Sequence, residues 1–119
     1  PGRMAPSAAS SPTAVLLIVL DDIPRDMLSA YGASHGLTPN FQRFADECLV
    51  YDNAFTTSPL CTPSRYSLLT GRYASNATSI MARWPWRMVG FNAFLTGNEK
   101  TLAHHLTEAG YETGLFGKY

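Results

Sequence analysis

The stretch Ala14-Val-Leu-Leu-Ile-Val-Leu20 constrains this chain more than any other. Seven consecutive apolar residues, four of them leucine or isoleucine and all sharply cut off by Asp21-Asp22, lack the alternation of a strand with one wet face. They also lack the 3.6-residue period of an amphipathic helix. The pattern predicts a strand buried on both faces, the kind that occurs in parallel sheets covered by helices. The run is far too short to span a bilayer, which takes about 20 residues. It does not pass for the core of a secretion signal either, because two carboxylates stand where small cleavage-site residues belong.

The rest of the chain alternates helix and strand signals, which defines an α/β layered fold. Thr38 as N-cap and Pro39 at the first helical position start a helix predicted over Pro39 to Cys48, with Phe41, Phe44, Ala45 and Cys48 on one apolar stripe. Cys48 reads as a small buried hydrophobe on that stripe. Leu49 to Phe55 reads as a second extended segment. Thr62, Pro63 and Gly71 bracket a short helix over Pro63 to Thr70. Asn98 and Gly110 bracket another over Glu99 to Ala109, with Leu102, Leu106 and Ala109 on its buried side. Tyr111 to Phe116 is then a short strand before Gly117-Lys118-Tyr119. Residues 1–13, rich in Pro, Ser and Ala, read as a flexible tail or linker. Asn76 to Gly97, with Trp84 and Trp86, reads as an irregular excursion.

With 45% hydrophobic and 15% charged residues, this composition excludes disorder and a disulfide-built miniprotein. Nine basic and nine acidic residues give a formal charge of zero, so nothing attracts nucleic acid or a membrane surface by bulk charge. Cys48 and Cys61 could form one disulfide, and the redox compartment stays open.

Three places could carry chemistry. Asp21-Asp22 lies at the carboxyl end of the first strand, where α/β sheets bind ligands, and two carboxylates are hard ligands suited to Ca²⁺ or Mg²⁺. Capping of the turn before a short helix beginning at Pro24 accounts for them equally well. Cys61 falls at a helix N-terminus, where free N–H groups and the dipole favour a thiolate or a bound oxyanion, and Arg65 follows at i+4. The competing reading is a buried structural cysteine beside a surface arginine. Lys118 follows a strand end, as an anion-binding ammonium or a solvated terminal lysine. The sequon Asn76-Ala77-Thr78 matters only in a eukaryotic secretory pathway, and such triplets are common by chance.

Taken together, the segments AVLLIVLDD, LTPNFQRFADE, NAFTTSPLCTPSRYSLLTGRY and TLAHHLTEAGYETGLFGKY resemble the N-terminal part of a type I sulfatase, within the alkaline-phosphatase-like superfamily. The block Cys61-Thr-Pro63-Ser-Arg65 is similar to the specific C-x-P-S-R signature. The resemblance implies a sandwich with a mostly parallel central sheet, of which residues 14–119 form an incomplete, truncated portion. It implies Asp21 and Asp22 as metal ligands, with Ca²⁺ the usual ion and Mg²⁺ the alternative. Cys61 becomes formylglycine, made by a formylglycine-generating enzyme that reads Cys-x-Pro-x-Arg, and in that form also a metal ligand. Arg65 holds the formylglycine hydrate and Lys118 contacts the sulfate. The implied reaction is hydrolysis of a sulfate ester, on a sulfated carbohydrate or an aryl sulfate, in a secreted, periplasmic or endomembrane compartment. A phosphonate or phosphate ester hydrolase of the same superfamily, or a non-catalytic truncated product, are the alternatives.

The segment Tyr73-Ala74-Ser75-Asn76 lacks the histidine that many members carry after the Gly-Arg of the signature. His104 and His105 fall on a helix and are not assigned as replacements. His105 lies near that helix's buried stripe and His104 is exposed, while His35 lies in a loop.

Overall fold

The computed structural model describes residues 14–79 and 93–119. The tail at 1–13, both tryptophans and most of the expected excursion lie outside the described residues. The chain divides into two compact units, Pro1–Cys48 and Leu49–Tyr119.

In the first unit the segment 14–20 has no regular secondary structure and the chain bends at Asp21-Asp22. Pro24, itself extended, precedes a 3-10 turn at Arg25–Met27, and a second 3-10 turn spans Ser29–Tyr31. The Arg25 guanidinium lies over the Tyr31 ring at 4.7 Å from its centroid. Helix α1 covers Pro39–Asp46, two residues short of the expected Cys48. Thr38 precedes it but makes no side-chain cap; its hydroxyl accepts the Ser29 N–H at 2.9 Å and donates to the Ser29 hydroxyl at 3.0 Å. That residue therefore ties the helix entry to the preceding turn.

The second unit is built around α2, Cys61–Thr70. This helix starts two residues earlier than the cap signals predict, with Leu60 in the N-cap position. The Ser64 N–H reaches the Leu60 carbonyl at 3.1 Å, and Pro63 is tolerated in the first turn, where its missing N–H would have had no partner. Tyr66, at 0% exposure, is the centre of a small core with Ala74, Ala77 and Ala93, against which Leu95 packs. Gly71 ends the helix in the left-handed region, φ 68°, a conformation that glycine adopts without a Cβ clash. Helix α3 is Leu102–Glu108, shorter than the expected Glu99–Ala109. Thr101 replaces Asn98 as its cap, and the His104 ring nitrogen Nδ1 accepts the Thr101 N–H at 3.1 Å. Its far end is a Schellman closure: Tyr111 N–H to the Leu106 carbonyl, Gly110 N–H to that of Thr107, and Gly110 at φ 90°.

The strand expectations are not confirmed among the described residues. Among the described residues no β-ladder forms. The segment 14–20 is exposed along its whole length, Leu16 at 83%; Phe55 is 88% and Phe116 95% exposed. A turn at Asp52-Asn53 interrupts the second segment. A strand needs a neighbour to take its N–H and C=O groups, and local preference alone cannot supply one. Cys48 is exposed as well, because α1 leaves Phe44 and much of Phe41 uncovered. The stripe on α3 is likewise uncovered at Leu102 and Ala109, so His105 lies on an exposed surface beside Glu108, 3.7 Å away. No helix among the described residues is long and apolar enough to cross a membrane.

Candidate active site

Cys61 is the first residue of α2 and is half-buried. The loop before it is fixed by hydroxyl groups. Thr56 donates to the Ser58 carbonyl and accepts the Ser58 N–H, its hydroxyl pairs with that of Ser64 at 3.1 Å, and the Ser58 hydroxyl accepts the Leu60 N–H. Pro63 is buried beneath the first turn. The N-cap residue Leu60 provides no side-chain cap to this end of α2, and helix N-termini of this kind suit an anionic partner.

Arg65 lies one helical turn beyond Cys61, on the same side of α2. Its Nη1 donates to the carbonyl oxygen of Lys118 at 2.9 Å, across 53 residues of sequence. Two of the sequence-predicted site residues thus meet in space, and a third sits one turn away. Lys118 follows Gly117, whose φ of 99° turns the chain sharply just before it. Tyr119 continues the attachment, its hydroxyl accepting the Leu95 N–H and donating to the Ala93 carbonyl, both at 3.2 Å.

Asp21 and Asp22 belong to the first unit. Asp22 has φ 56°, and it is the one non-glycine residue with positive φ among the described residues. Aspartate tolerates that region better than most residues, yet it still costs on the order of 1 kcal/mol and concentrates at functional turns. The pair offers hard carboxylate oxygens of the kind Ca²⁺ takes, so its chemistry fits part of a cation site. Among the described residues no group of three or more His, Cys, Asp or Glu side chains gathers.

Sequence reasoning missed the most saturated group in the unit. Glu99 is 6% exposed, and its carboxylate accepts four hydrogen bonds. Oε1 takes the Tyr66 hydroxyl at 2.5 Å and the Thr78 N–H at 3.1 Å. Oε2 takes the Thr96 N–H at 2.9 Å and the Thr96 hydroxyl at 3.2 Å. Burial pushes the Glu99 carboxyl up, but the bonds from Tyr66, Thr96 and Thr78 outweigh it and hold it down to about 2. Burial first, then the bond to Glu99 and that carboxylate's charge, push the Tyr66 phenol up to about 12.

These shifts fix a pH dependence. A carboxyl held below its ordinary value of 4.5 contributes stability that is complete above that value and lost as pH falls to about 2. We expect the parent protein to lose on the order of 2 kcal/mol more than Glu99→Gln between about pH 5 and pH 2, read from denaturant midpoints. Parallel curves would refute it. The phenol has the opposite sign, its contribution fading as pH rises from 10 towards 12.

The sulfatase family model matches residues 13–119. The chain belongs to the sulfatase family. It is 37% identical to N-acetylgalactosamine-6-sulfatase of Homo sapiens, in an alignment covering 98% of this chain and 23% of that protein. It is 39% identical to Arylsulfatase D of Homo sapiens, over 88% of this chain and 18% of that protein. It is 36% identical to N-acetylgalactosamine-6-O-sulfatase of Bacteroides thetaiotaomicron, over 88% and 20% respectively. The chain therefore spans about a fifth of the length of these curated relatives. No solved structure matches it.

Proposed function

We propose that this chain carries the nucleophile end of a sulfate-ester hydrolase, acting on a sulfated carbohydrate or an aryl sulfate. The observation that carries the reading is the arrangement on α2: Cys61 in its first turn, Pro63 beneath it, and Arg65 one turn on with its guanidinium on the backbone of Lys118. The relatives' names, N-acetylgalactosamine-6-sulfatase and arylsulfatase, support the substrate class.

Cys61 is the residue we assign to formylglycine, within the Cys-x-Pro-x-Arg that a formylglycine-generating enzyme reads. Asp21 and Asp22 are two of the ligands of a divalent cation, Ca²⁺ by preference. When present, the formylglycine hydrate supplies a nucleophilic hydroxyl and a second hydroxyl for release, while the cation neutralises oxyanion charge. The chain's own residues do the rest. The N–H groups at the start of α2 and the Arg65 fork hold a tetrahedral oxyanion at the nucleophile. The Lys118 ammonium adds a mobile positive charge for the sulfate. Because these charges are local, the neutral overall balance is no obstacle.

We further propose that residues 14–119 form the N-terminal part of a sulfatase catalytic domain with a mostly parallel sheet. The exposed segments 14–20, 49–55 and 111–116 would be strands of that sheet, covered by further chain. Expressed alone, the 119 residues are then expected to show no sharp thermal transition and no turnover, because apolar strands stay unpaired. A cooperative calorimetric peak from the isolated chain would overturn this.

The functional reading is tested by peptide mass spectrometry of Cys61 in protein from its native host, with parallel assays on aryl sulfate and aryl phosphonate. Formylglycine at Cys61 and preference for the sulfate are expected. An unmodified cysteine throughout, or clear preference for the phosphonate, rejects the reading.

A further inference from the structure

Glu99 is a buried, hydrogen-bonded carboxylate that the proposed chemistry leaves unused. Part of its bonding is local. Thr96 and Glu99 form a turn in which the Glu99 N–H reaches the Thr96 carbonyl at 3.0 Å, and the side chain returns to the Thr96 N–H. A turn of this kind needs neither burial nor distant partners. Yet the other oxygen is filled by Tyr66, 33 residues away on α2, and by the Thr78 N–H, 21 residues away after the Ala74–Asn76 turn. Three separate stretches of chain therefore converge on one ionised carboxylate.

That carboxylate also closes a circuit. Arg65 binds the Lys118 carbonyl, and Lys118 is joined to Tyr119. The Tyr119 hydroxyl binds Ala93 and Leu95, whose segment leads through Thr96 to Glu99. Glu99 returns to Tyr66, the neighbour of Arg65. The ring passes through both cationic residues of the proposed site.

We propose that Glu99 is a positioning residue: acting through Tyr66, its buried carboxylate sets the placement of α2, and hence of Cys61 and Arg65 relative to Lys118. The inference rests on the sulfatase reading above for its catalytic consequence, though not for its geometry. Glu99 touches no reacting atom. Four donors saturate its two oxygens, leaving it no lone pair for acid–base work. Glutamine is not a silent replacement, since its amide would present donors to at least one of those donors and remove the charge that shortens the bonds. A displacement of about 1 Å at a site of this kind costs about a hundredfold in rate.

The test uses the full-length protein with its Cys61 modification quantified, comparing Glu99→Gln, Tyr66→Phe and the double variant. Tyr66→Phe removes only a hydroxyl, so it carries the test if Glu99→Gln does not fold. Per modified enzyme and at a temperature where each variant is folded, kcat is expected to fall about 10- to 100-fold in Glu99→Gln with KM within about threefold. Tyr66→Phe should fall in the same direction, and the double variant should lose little beyond Glu99→Gln, because both act through one bond. A kcat within about twofold of the parent, or fully additive losses, overturns the proposal. Hydrogen exchange supplies a readout independent of activity: amides of Ser64–Thr70 should exchange about tenfold faster in both variants, with α1 unchanged. If the parent hydrolyses no sulfate ester, the functional reading fails, and exchange alone decides the positioning. Unchanged protection in α2 then rejects it.

Discussion

Cys61→Ser in the full-length protein should lower kcat/KM on an aryl sulfate by at least about a thousandfold, leaving folding intact. Cys61 is half-buried in the first turn of α2, where serine fits the same space and continues the same helix. What serine lacks is the thiol from which the proposed aldehyde is made. Its single hydroxyl also has no geminal partner to drive release, so any covalent ester it formed would persist. A variant with unaltered circular dichroism and more than about a tenth of parental turnover would remove Cys61 from the chemistry.

The second large effect is expected at Arg65. Arg65→Lys keeps the charge but discards the planar fork, and lysine presents a single ammonium in place of parallel donors. One arm of the fork holds the Lys118 carbonyl, and the proposed function asks the same guanidinium to hold the oxyanion as well. Lysine cannot do both, so kcat per modified enzyme should fall by roughly a hundredfold or more. Lys118→Ala should cost less, because the bond from Arg65 is to its backbone and survives the change. Equal losses in the two variants would mean that the Lys118 ammonium, not the Arg65 fork, carries the oxyanion. Since Arg65 also belongs to the Cys-x-Pro-x-Arg signature, modification of Cys61 must be measured in each variant.

Local signals were legible where local chemistry decides the outcome. Pro39 begins α1, Gly71 ends α2 and Gly110 ends α3, because each of these positions depends on a single residue's φ or missing N–H. The spacing of Cys61, Pro63 and Arg65 also singled out the helix turn on which Arg65 meets the Lys118 backbone. The starts of α2 and α3 were not, and that of α3 depends on distant partners. Glu99 reads as the opening of a helix until Tyr66 and Thr78 claim its carboxylate, after which Thr101 takes the capping position. Nothing near Glu99 in the sequence announces Tyr66. A lone glutamate before Lys100-Thr101-Leu102 was the only available hint. The strands are a different matter: AVLLIVL states its preference clearly, but a ladder is a property of two segments, and among the described residues none pairs with it.

The long reach of these bonds has a consequence for synthesis. Helix α2 gains Glu99 only after 33 further residues have been added to Tyr66, and Arg65 gains the Lys118 carbonyl only after 53. At about 5–20 residues per second, the second interval lasts roughly 3–10 s. A ten-residue helix is marginal by itself in water, so through that interval Cys61, Pro63 and Arg65 belong to an open peptide. The proposed modifying enzyme, reading those residues as a linear sequence, would meet them before the chain's later segments fix Arg65.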